Sequence, residues 1–145
     1  MSGDRPQAEP GRRSDGYPPW REVARVATYL TAHRTRLKAL AVQRCPNCPR
    51  KPLAEVHVVN GVRWAWLAGT RETPASLAAQ GMDPADWPKV APSVLPLDHW
   101  KHRHSLSACR GCRLTYLIDV DLLRAATDAL PRETVILPAP ERVLS

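Results

Sequence analysis

Two Cys-x-x-Cys pairs, Cys45-Pro-Asn-Cys48 and Cys109-Arg-Gly-Cys112, separated by 60 intervening residues, constrain this chain more than any other feature. Each pair places two thiolates on one tight turn, the separation a tetrahedral metal needs for two of its corners, and two such turns complete the shell. The competing use of four cysteines, two disulfides or redox thiols, belongs to an oxidising compartment or a redox site. The N-terminal stretch MSGDRPQAEPGRRSDG is polar with no visible signal peptide, and no apolar run approaches the roughly 20 residues of a membrane span. The expectation is a cytoplasmic chain holding one structural Zn2+ on Cys45, Cys48, Cys109 and Cys112. Four thiolates leave no open position for water, so the zinc is expected to be non-catalytic.

Around these knuckles the pattern alternates between helical and extended. Residues 1–18 carry three Pro and three Gly and no apolar cluster, and read as a disordered tail. Pro18-Pro19 before Trp20 suits a helix entry. Gly and Pro are then absent to about Gln43, and Val23, Val26, Ala27, Leu30, Leu37, Leu40 and Ala41 recur mostly at three- and four-residue steps. This predicts one long amphipathic helix over Trp20–Gln43, with His33 on its apolar seam as a packing residue. Leu53–Val59 and Val62–Ala68 flank Asn60-Gly61, a strong hairpin signal because both central residues must take positive φ. The two-residue turn sets Val59 opposite Val62, His57 opposite Trp64 and Glu55 opposite Trp66. Residues 69–98 hold seven Gly and Pro, with a short helix expected over Pro74–Gln80 capped by Thr73 and another turn at Asp83–Trp87. Strand, knuckle and strand follow over Ser105–Ile118, and Gly111 is expected to supply a positive φ. A helix capped by Asp119 or Asp121 runs to about Leu130, and Val135–Leu137 forms a last strand.

The paired knuckles flanked by β-rich segments resemble the zinc ribbon family, in which a four-cysteine zinc sits between two β-hairpin knuckles. The resemblance covers roughly residues 44–68 and 105–118. Joined to the helices read above, it gives an expected α+β architecture: a four-cysteine zinc ribbon with short antiparallel strands, one long N-terminal helix and one shorter C-terminal helix. Residues 19–145 then form a single domain, and residues 69–104 are an insertion between the halves of the metal site. Pro49 departs from the pattern, since it has no N–H to offer a thiolate. A second stretch, Leu97-Asp98-His99 followed by Cys109-x-x-Cys112, resembles the HNH endonucleases of the phage recombination type. That resemblance implies water activation by His99 and a catalytic metal on Asp98. Arg113 stands where that family often has Asn.

Charge narrows the partners. The net charge is +7, and 17 of the 21 basic residues are Arg. Residues 20–50 carry +6, residues 51–118 carry +3 and residues 119–145 carry −2. A basic excess before and within the cysteine region is the footprint of a polyanion binder, although Arg enriched together with Ala and Pro also follows from coding bias. The candidate nucleic-acid contacts are Arg34, Arg36 and Lys38 on the helix, with Arg110 and Arg113 in and beside the second knuckle. Trp64 and Trp66, on one hairpin face, could stack bases, but a chain with no Phe and five Trp needs these rings for its core. The functional expectation is a non-enzymatic zinc module that contacts nucleic acid or a nucleic-acid-associated machine. The alternatives are a protein–protein adaptor in which zinc replaces missing core, with the N-terminal helix as a docking surface, and a metal-dependent nuclease.

Overall fold

The computed structural model describes residues 17–69 and 94–143. The expected tail over 1–18 lies almost wholly outside them, as do the expected short helix at 74–80 and the turn at 83–87. Helix α1 (Trp20–His33) enters from Pro19, whose carbonyl accepts from the N–H of Glu22 and of Val23. A 3-10 turn over Arg34–Arg36 follows. The strands are β1 (Ala41–Arg44), β2 (Pro52–Val59), β3 (Val62–Leu67), β4 (Val94–Pro96), β5 (His104–Ala108) and β6 (Thr115–Asp119). Helix α2 (Val120–Thr127) and short strands β7 (Val135–Ile136) and β8 (Glu141–Arg142) complete the order. Among the described residues, no helix is long and apolar enough to cross a membrane.

Two sheets result. The larger runs β4-β3-β2-β1-β7 and the smaller β5-β6-β8. All pairings are antiparallel except β1 with β7. The hairpin register is the one its turn dictates: Val59 pairs Val62, His57 pairs Trp64 and Glu55 pairs Trp66. Asn60 and Gly61 take φ of 52° and 78°, as a type I′ turn requires. One face of the large sheet, with Trp64 and Trp66, packs under Val23, Val26, Ala27 and Leu30 of α1. On the other side Ala54, Val56, Ala65 and Leu67 share a core with Tyr116 and Ile118 of β6 and with Val120 and Leu123 of α2. The large sheet is therefore covered on both sides, which removes apolar surface on each face from water.

The N-terminal helix is not long. It ends at His33, and residues 34–43 of the expected helix are a turn, a linker and strand β1. The reason is tertiary pairing. Leu40 N donates to Val56 O, Ala41 pairs with both Val56 and Val135, and Ala41, Val42 and Gln43 are all buried. A strand covered on both faces loses its alternation, so its short apolar run cannot be told from a helix face by periodicity. His33 is exposed rather than packed in the seam, with its ring 5.0 Å from that of Tyr29. Helix α2 is three residues shorter than expected. Its cap is Asp119, whose Oδ1 accepts from Leu122 N at 3.1 Å. Strands β4 and β8 were not foreseen. Beta4 pairs with β3 through Trp64–Pro96 and Trp66–Val94.

Candidate metal centre

Each cysteine pair hangs from an antiparallel strand pair. The first knuckle joins β1 to β2: Cys45 N donates to Lys51 O at 3.0 Å, Cys48 N to Cys45 O at 3.2 Å and Lys51 N to Cys48 O at 2.7 Å. The second joins β5 to β6: Cys109 N donates to Leu114 O and Arg113 N to Cys109 O, both at 2.9 Å. These bonds hold both turns tight without any ligand.

The two turns meet. All four Sγ atoms lie within 4.8 Å of one another, with Cys45 and Cys109 buried and Cys48 and Cys112 half-buried. The cysteines are free thiols. Cys45 Sγ and Cys112 Sγ are 3.7 Å apart, close to the edge of about 3.8 Å for a tetrahedron with metal–sulfur bonds of about 2.3 Å. The four cysteines are thus arranged to bind one metal ion.

Gly111 is where the knuckles touch. A Cβ there would lie 3.1 Å from Cys48 Sγ and 3.6 Å from Cys109 Sγ. The positive φ expected of Gly111 falls instead on Arg113, at 65°. Gly111 is needed for space rather than for backbone freedom, and its N–H donates to Cys109 Sγ at 3.3 Å.

Electrostatics within the quartet are uneven. Burial, and then the neighbouring Cys109, push the Cys48 thiol up to about 11. The Leu114 N–H beside Cys112 brings that thiol down to about 7, against the opposing effect of burial. Four crowded sulfurs cannot all ionise unaided, and a dication at their centre relieves that repulsion. Tyr116 completes the surroundings. Its Oη is 3.4 Å from Cys45 Sγ, and this hydrogen bond, with burial, raises the phenol's pKa. With Cys45 as thiolate the phenol is the donor. Sequence reasoning missed Tyr116, although its place on the inward face of β6, four residues beyond Cys112, was a usable signal.

The basic candidates separate. Arg34, Arg36 and Lys38 do not share a helix with Trp20–His33: the first two form the 3-10 turn and Lys38 follows it. Arg34 Nη1 bonds Glu55 Oε2 at 2.9 Å, and its guanidinium lies 3.8 Å from the Trp66 ring centre. Glu55 Oε1 in turn meets His57 Nε2 at 2.8 Å, so Arg34, Glu55 and His57 form a largely buried network. Lys38 Nζ is 3.4 Å from Glu133 Oε2 in the open. Arg36, Arg110 and Arg113 are exposed. Trp64 and Trp66 are only 1% and 3% exposed, hence core rather than a base-stacking surface.

Asp98 is the ion-pair partner of Arg63, and Arg63 also reaches Arg124 O and Thr127 Oγ1 at 3.1 Å each. His99 closes a turn after β4 by donating its N–H to Pro96 O. Among the described residues, the cysteine quartet is the metal-ligand cluster present, and Asp98 and His99 are outside it.

Comparison of the chain with known protein families, with curated proteins and with solved structures gives no match.

Proposed function

We propose that the chain is a non-enzymatic zinc module that contacts nucleic acid, its single zinc clamping the two sheets together. The observation that carries the metal half is the convergence of Cys45 and Cys48, between strands of the large sheet, with Cys109 and Cys112, between strands of the small one. All-thiolate donors favour zinc over harder cations, and a filled shell suits a structural role. Because the cysteine pairs are 60 residues apart, the metal closes a long loop and its binding energy becomes folding energy.

Support for the nucleic-acid half is the net charge of +7 and the exposure of Arg36, Arg110 and Arg113. The adaptor reading uses the same zinc without polyanion contact. A pull-down with tagged, zinc-loaded protein separates them. Nuclease treatment should strip bound material if nucleic acid is the partner, whereas protein partners retained after treatment would favour the adaptor. The nuclease reading gains no support from Asp98, whose carboxylate is taken up by Arg63.

A further inference from the structure

Among the described residues some basic side chains are paired and others are not, and Arg25, Arg36, Arg132 and Arg142, outside the knuckles, are in no ion pair. Arg34, Lys38, Arg63, Arg103 and Arg124 each have a carboxylate partner: Glu55, Glu133, Asp98, Asp119 and Asp121 respectively. The knuckles concentrate unpaired cations. Residues 44–51 and 109–113 carry Arg44, Arg50, Lys51, Arg110 and Arg113 and no acidic residue. All five are exposed, and among the described residues none of them is in an ion pair. Three come from the large-sheet side of the metal site and two from the small-sheet side, and the two turns that carry them meet where the four sulfurs lie within 4.8 Å. Arg110 is further fixed by its Nε, which donates to Ala68 O at 2.6 Å.

From this we infer that the knuckle face, rather than the 3-10 turn after α1, is the seat for a nucleic-acid phosphate backbone. The inference rests on the nucleic-acid reading above and locates its contact. Charge supports it: a dication with four thiolates carries −2, so the five knuckle cations leave a surplus of three positive charges. Four of the five are Arg, whose planar fork matches phosphate oxygens in pairs. An anionic membrane is a poorer fit. Such surfaces are held by basic groups together with inserted apolar side chains, and among the described residues the exposed large hydrophobic side chains, Tyr29, Val58, Leu106, Leu130 and Ile136, all lie outside the knuckles. The seat has no built contact for a base, so it reads the backbone and not the sequence.

The test is fluorescence anisotropy with zinc-loaded full chain and labelled mixed-sequence DNA and RNA oligonucleotides, single-stranded and duplex, across a salt series. Two double variants are compared: Arg50→Glu with Lys51→Glu, and Arg36→Glu with Lys38→Glu. Each is first shown to retain wild-type metal content and Trp fluorescence. A third, Arg110→Gln with Arg113→Gln, repeats the knuckle test without charge reversal. Wild type should bind with a steep salt dependence, log Kobs falling with a slope of about −4 against log salt for duplex. The Arg50/Lys51 pair should weaken binding at least ~10-fold and make the slope shallower by about 2, with the Arg36/Lys38 pair changing affinity less than ~3-fold. If the Arg36/Lys38 pair costs as much as either knuckle pair, the seat is misplaced although nucleic-acid binding stands. If zinc-loaded wild type binds no oligonucleotide at low salt, the nucleic-acid reading itself fails. Vesicles of phosphatidylserine and phosphatidylcholine form the remaining arm, and binding to them but not to oligonucleotides overturns the assignment in favour of a membrane.

Discussion

Gly111 and Cys48 come from opposite knuckles, yet a Cβ on Gly111 would stand 3.1 Å from the Cys48 sulfur. The glycine thus marks the point where the large-sheet hairpin and the small-sheet hairpin are pressed together. Gly111→Ala should push the Cys48 sulfur aside by a few tenths of an ångström and destabilise the metal-bound fold by about 1 kcal/mol, as overpacking does. Competition against a chromogenic chelator will show it as faster and more complete metal loss. Unchanged retention would mean that the knuckles have slack at their contact.

Tyr116 is hydrogen-bonded to Cys45 Sγ at 3.4 Å and also interacts with Cys112. Tyr116→Phe removes the donor and keeps the ring, so packing in the shared core should survive. Metal affinity should fall by about 10-fold, the lower end of what outer partners of metal ligands contribute. Circular dichroism of the metal-saturated variant should match wild type, which separates a loss of affinity from a loss of fold.

Glu55 joins Arg34 and His57 beneath α1, with its side chain 11% exposed. Glu55→Gln leaves Arg34 without its counter-charge in a half-buried site and should destabilise the fold by about 2 kcal/mol. Arg34→Met keeps apolar contact with Trp66 but leaves the carboxylate facing only His57, and should cost a similar amount. Urea unfolding of zinc-loaded protein measures both. A double variant costing much less than the two single costs together would confirm that the groups act as one network.

Asp119 caps α2 through Leu122 N and also faces Arg103 at 3.3 Å. Burial raises its pKa, but the Leu122 N–H and Arg103 outweigh it and the net shift is downward. A carboxylate depressed in the folded state contributes stability above its unfolded pKa of about 3.9 and loses it as pH falls through the folded value. Asp119→Ala should therefore cost about 1 kcal/mol at neutral pH. The gap in denaturant midpoint should hold from pH 8 to about pH 5 and begin to close only below about pH 4.

The parts of the fold legible in the sequence were those with short-range causes. Asn60-Gly61 dictated a turn whose geometry settles the hairpin register. The Cys-x-x-Cys spacing announced two knuckles, and Asp119 or Asp121 announced a helix start, at which Asp119 is the cap. What escaped reading depends on distant partners. Ala41–Arg44 looks helical until Val56 and Val135 arrive on either side, and β4 exists because β3 offers an edge at Trp64 and Trp66. Arg34 read in the sequence as an exposed nucleic-acid contact, and its carboxylate, Glu55 on β2, lies 21 residues away. Arg44, Arg50 and Lys51 went unremarked as a site because their turn and that of Arg110 and Arg113 meet only in the fold.

The central claim is that one zinc on Cys45, Cys48, Cys109 and Cys112 holds the two sheets together. Native mass spectrometry of the purified chain, alongside Cys109→Ser, tests it most directly. Wild type should carry one zinc per chain with all four thiols reduced, and the variant should lose that zinc and show a broadened, more highly charged ion distribution. A wild-type chain that carries no metal and is four hydrogen masses lighter, with both cysteine pairs oxidised, would contradict it.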